Sequence, residues 1–300
     1  MRWLLAVTLC GCAAHPGVAD HPAPPAAALR VDATKPPGDI VVALSGGANA
    51  LWWDATSSVL YLTDSNTSSL LTWTDAEGIR EVCSLPADAA GVSLGGIVRR
   101  SDGTLLIASF GFGTQGGMFA VTSGAASALT GLEPTRRRVG LAQGADGAIY
   151  SAYFVGSRGK PPVGGIATIA VAGTSATETE IASGFHKVVG LVATPNAVVV
   201  SDQTDRAIYK IEIPGYAVSR IASAPTVDLL AMLPNGDLLT GGGPTISRIT
   251  QAGQVSTLLG GFEQVRGIAY DAAGKRLFVV DHSVTVGLPD KLRVIHLDAR

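Results

Sequence analysis

Asn49, Arg137, Tyr153, His186, Asp228 and Arg266 are the side chains whose types and positions could act together on a small ligand. Asp228 offers a carboxylate that could take a proton or bind a cation. His186 falls in a loop and could serve as a general base, as could His282. Arg266 carries a guanidinium, which is always charged. Arg137 lies in the run Arg136-Arg137-Arg138, with Arg158 and Lys160 in a long loop, Phe154 to Gly164, and Phe110 and Phe112 upstream. Together these read either as a basic, partly aromatic rim that attracts an anion or as a solvated charged edge. Gly241-Gly242-Gly243 lacks the Lys and the following helix of a phosphate loop, and reads as a turn.

The elements that must position these residues are repeats. Gly190 to Ile211 reads as an apolar run, a turn at Pro195-Asn196, the β-branched run Val198-Val199-Val200, the polar pair Ser201-Asp202 and a further strand from Ala207. Two apolar runs split by such a turn predict a hairpin. The phrase recurs from Ala50, Gly96, Gly140, Leu229 and Gly267, with turns at Asp146-Gly147 and Asn235-Gly236. Each hairpin is followed by two more strands. Four strands per repeat of roughly 40 to 50 residues is the blade of a β-propeller. The fold class is therefore all-β, a six-bladed β-propeller. The final repeat lacks an outer strand, and Ile40-Val41-Val42-Ala43-Leu44 is the strand left to supply it. An N-terminal strand thus closes the ring and covers a sheet edge.

Two rings of side chains follow from this alignment. The residues just ahead of each inner strand are Asn49, Gly95, Val139, Val189, Asp228 and Arg266. The residues ending each second strand are Asp64, Ser109, Tyr153, Asp202, Gly242 and Asp281. Asp64, Asp202 and Asp281 could be ligands or bases. Their repetition points instead to architecture, with each carboxylate accepting backbone N–H groups from a neighbouring loop.

Composition bounds the class. The chain has 300 residues, 47% hydrophobic and 15% charged, ample for a core. A net charge of −2 gives no reason to expect nucleic acid. Met1-Arg2 is a short basic start, and Trp3 to Leu9 is too short to span a bilayer as a helix. Leu9-Cys10-Gly11-Cys12 resembles a bacterial lipobox, which predicts a signal peptide over 1–11 and lipidation of Cys12. Plain signal cleavage near Ala13-Ala14 is the alternative. Residues 12–38, rich in Pro and Ala, read as a tether, and 39–300 as the propeller. The expected location is the bacterial cell envelope, facing the periplasm or in the outer membrane, held by a lipid anchor. With Cys10 and Cys12 in that segment, Cys83 has no partner and reads as a small buried hydrophobe.

The repeats resemble six-bladed propellers of the NHL and SMP-30/gluconolactonase type. Val200 to Ile208 and the two Asx-Gly turns carry the likeness, which covers about residues 40–300. The resemblance implies a divalent cation held in the channel by a Glu, an Asn and an Asp. The matching positions here hold Asn49, Val139 and Asp228, so one of three ligands is kept. Arg266 falls between Asp228 and Asn49 and is expected to pair with Asp228 in place of the cation. The expectation is therefore a binding or scaffold module without that metal and with no cofactor, gripping a small anionic ligand or a protein at the mouth. The alternative is a lactonase or esterase hydrolase with a site rebuilt around Asp228, Asn49 and His186, or one that holds Ca²⁺ in the channel.

Overall fold

A computed structural model describes residues 38–86, 92–157 and 159–297. The expectations for the leader, for Cys12 and for the tether up to residue 37 fall outside the described residues, as does Arg158.

Strand β1 is Asp39–Ala43. Blade one is β2 Ala48–Asp54, β3 Val59–Asp64, β4 Ser69–Thr74 and β5 Gly78–Ser84. Blade two is β6 Leu94–Arg99, β7 Leu105–Phe110, β8 Gly116–Thr122 and β9 Ala125–Ala128. Blade three is β10 Arg137–Gln143, β11 Ile149–Ser157, β12 Lys160–Ala172 and β13 Ser175–Phe185. Blade four is β14 Val188–Thr194, β15 Ala197–Asp202, β16 Ala207–Glu212 and β17 Val218–Ser223. Blade five is β18 Leu230–Met232, β19 Leu238–Thr240, β20 Thr245–Ile249 and β21 Val255–Gly260. Blade six is β22 Val265–Asp271, β23 Arg276–Asp281 and β24 Lys291–His296.

These strands form six four-stranded antiparallel sheets, and the sixth has the order β1-β24-β23-β22. The N-terminal strand therefore completes the last blade, with Asp39 opposite Val294 and Ala43 opposite Lys291. Leu44 then turns inward and is buried. The hairpin turns are set by Gly147 and Gly236, at φ 84° and 83°, where a side chain would be strained. Blade three departs from expectation. Phe154 to Gly164 is not a loop: Phe154 pairs with Gly164 and Val155 with Val163, so the two strands of the hairpin continue through it.

The core lies between blades, because each sheet is apolar on both faces. Between blades one and six, Leu60, Leu62 and Trp73 pack against Phe278, Val280 and Leu292. Trp53 stacks on Phe278 with ring centroids 5.1 Å apart. Cys83 is buried and unpaired in the core between blades one and two.

One local device recurs where the wheel meets its channel. In five blades the inner strand carries a β-bulge near its start, between Ala48 and Leu51, Leu94 and Ile97, Arg138 and Leu141, Val188 and Leu191, and Val265 and Ile268. A bulge kinks the strand and re-aims a side chain. The residue aimed here is the one just ahead of the repeat phrase. The glycine beside it is required by packing. A Cβ on Gly140, Gly190 or Gly267 would strike the backbone carbonyl of Val189, Asp228 or Asn49 in the adjacent blade, and one on Gly96 would strike the backbone nitrogen of Leu141.

Candidate functional site

The starts of the inner strands enclose a cavity of about 420 Å³ at one mouth of the channel. Four charged side chains line it: Arg137, Lys187, Asp228 and Arg266. Asn49, Asn66, Gln203 and Gln264 add amides, and Phe110 and Phe154 add aromatic wall. The other end of the channel is a second cavity of about 370 Å³, lined mainly by aliphatic side chains such as Leu51, Ile97, Leu141 and Leu230. Arg99 and Gln143 also reach that second cavity, but the convergent set of four charged side chains belongs to the first.

Asp228 sits in the loop just before β18. Its backbone N–H donates to the Thr240 hydroxyl at 2.9 Å, and its carbonyl accepts from the Ser201 hydroxyl at 2.6 Å. Burial raises the pKa of its carboxyl to about 6, against the opposing pull of Lys187, Arg266, the Leu229 N–H and the Gln203 side chain. Lys187 is pulled down by burial and by Arg137, and held up by Asp228. Arg266 is lowered by burial, with Asp290 and Asp228 acting in the opposite sense. These couplings order the charges around half the mouth: Arg137, Lys187, Asp228, Arg266, one from each of blades three to six.

Of the residues expected to act together, Asn49, Arg137, Asp228 and Arg266 share this cavity. Asn49 donates its amide to the Leu94 carbonyl at 2.7 Å. Arg266 is not ion-paired with Asp228. No contact within 4.0 Å joins them among the described residues, and their coupling acts through space. Two residues lie elsewhere. Tyr153 is buried in the core of blades two and three, hydrogen-bonded to Glu180 beneath the Arg136 guanidinium. His186 turns away from the channel and meets Asp205 at 2.8 Å.

The reason Tyr153 misses the channel is register. In four blades the cavity takes the residue that follows the expected second ring: Ser65, Phe110, Phe154 and Gln203. A one-residue offset on a strand reverses the face. Asp64, Asp202 and Asp281, one residue earlier, face their own loops. Asp64 accepts from the Asn66 N–H, Asp202 from the His186 and Lys187 N–H groups, and Asp281 from the Glu263 N–H and from Arg293. Lys187 and Gln264 were also legible. Each lies two residues before its blade's aimed residue, as Arg137 does, where the chain enters the inner strand.

The cavity does not fit the divalent cation that this fold class suggests. A hard cation wants several oxygen ligands with carboxylate charge. The mouth offers one carboxylate among three cations, and Val139 brings no donor. A different group, His186, Asp202 and Asp205, has ligand atoms within 4.8 Å of one another and could approach a metal. Both Asp202 oxygens there already accept backbone N–H groups, from His186 at 2.7 Å and from Lys187, Thr204 and Asp205 at 3.1, 3.0 and 3.2 Å. That carboxylate is engaged in holding the loop.

No family model matches the sequence, and no curated protein resembles it. Solved structures do resemble its fold. A gluconolactonase from Xanthomonas campestris superposes with a TM-score of 0.68 at 15% identity, covering 92% of this chain and 99% of that one. Regucalcin from Agrobacterium tumefaciens, a calcium-binding protein, gives 0.66 at 14%, covering 89% and 97%. Virginiamycin B lyase from Staphylococcus aureus gives 0.57 at 16%, covering 85% and 98%. The fold is thus that of the gluconolactonase and SMP-30-like propellers.

Proposed function

We propose that the polar mouth is the active site of a hydrolase acting on lactone or ester bonds by general-base chemistry on Asp228. The observation that carries this is one half-buried carboxylate, titrating at about 6, set between Lys187 and Arg266. A base poised near the working pH is effective in proton transfer. In the proposed step Asp228 takes a proton from water as the oxygen attacks the carbonyl carbon. Arg266 stabilises the oxyanion that develops. The C–O bond then breaks, and the proton passes from Asp228 to the leaving alkoxide. Cations of the protein fill the electrostatic role, and the reaction needs no divalent ion. The solved neighbours named as gluconolactonase and lyase support an enzymatic use of this mouth.

The test is turnover of lactones and aryl esters by purified protein, with and without chelator. Turnover that survives chelation and falls at least about 100-fold in Asp228→Asn is expected. Turnover abolished by chelator, or unchanged in that variant, overturns the reading.

A second reading is a binding module that holds a small anion or a protein at the same mouth. It is favoured by one observation: among the described residues no Ser, Cys or Thr in the cavity is hydrogen-bonded to a base as a nucleophile would be. In either reading the lipobox around Cys12 supports anchoring in the bacterial envelope. Cys12→Ser should then release the protein from membranes, and retention would refute the anchor.

A further inference from the structure

Arg136, Arg137 and Arg138 are consecutive, yet they have different fates. Arg136 pairs with Glu178 and Glu180 at 3.1 and 3.0 Å. Arg138, fully buried, pairs with Glu178 at 2.7 Å. Arg137 points the other way, into the mouth, and meets no carboxylate within ion-pair distance among the described residues. Burial alone acts on it, pulling its pKa down with no anion to offset the effect.

The Arg137 guanidinium is nevertheless rigidly placed. Its carbon lies 4.2 Å from the Phe112 ring centroid and 4.7 Å from that of Phe154. Its Nε donates to the Phe110 carbonyl at 2.9 Å. Stacking on two rings and a tethered Nε fix the plane of the fork, which leaves the Nη1 and Nη2 edge without an acceptor. Lys187 occupies the equivalent place in the next blade, two residues before Val189 and just ahead of β14. It too has no carboxylate within 4.0 Å, and its ammonium lies 5.7 Å from the Phe154 centroid. A desolvated cation without a counter-charge is costly unless a partner arrives. A planar fork held edge-on is suited to bidentate binding of an oxyanion.

We infer that Arg137, seconded by Lys187, is the specificity-determining clamp for a ligand that carries a carboxylate or phosphate group beside an apolar, ring-sized body. The oxyanion binds the fork at blades three and four, and the body lies along Phe110 and Phe154. The rest of the ligand then reaches Asp228 in blade five. The inference deepens the hydrolase reading by naming its substrate class, and its binding half stands without turnover.

Calorimetric titration with benzoate, phenyl phosphate and neutral benzyl alcohol tests it, on the wild-type protein and on Arg137→Met and Arg137→Lys. Binding of benzoate or phenyl phosphate is expected, with the preferred one identifying the oxyanion. Affinity should fall at least about 30-fold in Arg137→Met and be partly restored in Arg137→Lys. Benzyl alcohol should bind at least about 30-fold more weakly than the anions, since it lacks the charge-assisted bonds. Equal binding of the neutral probe, or unchanged anion affinity in a folded Arg137→Met, overturns the inference. Lys187→Met serves if the Arg137 variant fails to fold. Carboxylated and neutral aryl esters separate the two claims. Equal kcat/KM on both leaves the hydrolase and removes the clamp. Anion binding without any turnover leaves the clamp and removes the hydrolase.

Discussion

Ser201 in blade four donates its hydroxyl to the backbone carbonyl of Asp228 in blade five at 2.6 Å, and accepts the Gly190 N–H at 2.8 Å. One fully buried hydroxyl thus joins two neighbouring blades at the candidate base. Thr63 does the same at the seam between blades one and two, accepting from the Ala50 N–H and donating to the Gly95 carbonyl. The placement of Asp228 is therefore a property of the seam between blades rather than of its own short strand.

Ser201→Ala should leave the buried Gly190 N–H without a partner and the Asp228 C=O with only the 3.4 Å bond from the Thr240 hydroxyl. The expected loss is about 1–3 kcal/mol in denaturant unfolding. If Asp228 is the base, KM and kcat should both worsen while Ser201→Thr retains more activity. An Ala variant as stable as the wild type would show that water replaces the hydroxyl.

Strand β1 closes the wheel with five residues, of which Ile40 and Val41 remain exposed. Its contribution is mostly the ladder to β24, together with the turn that buries Leu44. Deleting residues 39–43 should uncover the β24 edge, lower the melting temperature by about 5 °C and promote self-association. Scanning calorimetry with light scattering checks both. An unaltered transition would mean that the ring needs no latch.

Arg138→Met tests the division of labour among the three arginines. It removes one of the two arginines paired with Glu178, whose carboxyl is held below the usual range by the Glu133 N–H and by Arg138 despite burial, and leaves Arg136 as the remaining partner. The cost should be about 1–3 kcal/mol in unfolding free energy at neutral pH. Because the folded pKa is depressed, the wild-type advantage from Glu178 should be present above the ordinary Glu range and fade as pH falls through the lowered value. Anion affinity at the mouth should not change in protein that remains folded.

Much of the wheel could be read from the chain because a blade's signals are local. Alternation, the Asx-Gly turns and the small residue opening each phrase recur at Gly96, Gly140, Gly190 and Gly267, and those glycines proved to be packing contacts. The missing outer strand could be inferred by elimination. The cavity was harder to read. The first ring places Asn49, Asp228 and Arg266 correctly, but the second ring falls one residue early, at Tyr153 instead of Phe154. Nothing in the local pattern reveals that the Asp64, Asp202 and Asp281 carboxylates turn back on their own loops. The pairing of Arg136 and Arg138 with Glu178, 42 and 40 residues away, is likewise a product of register across β10 to β13. Only once those two are paired does Arg137 stand out.

Asp228→Asn should change activity and stability in opposite directions. In the folded protein the carboxyl titrates at about 6, against an ordinary 3.8. Between those values the folded state binds more protons than the unfolded chain, so stability falls as pH rises through the window. Above 6 the protein carries a desolvated charge that Asn would not have. The variant should therefore be more stable than the wild type at about pH 7.5, by at most about 3 kcal/mol and less in proportion to the carboxylate's remaining contact with water. At about pH 3.5 the two should unfold alike. Activity runs the other way, because the general base must be ionised: wild-type kcat/KM should rise with pH around a midpoint near 6, and the residual rate of the variant should be flat. Paired unfolding curves and pH–rate profiles read both effects on the same protein. A variant destabilised above the midpoint would mean that Lys187 and Arg266 outweigh the desolvation of Asp228, and that the carboxylate is there to neutralise them rather than to accept a proton.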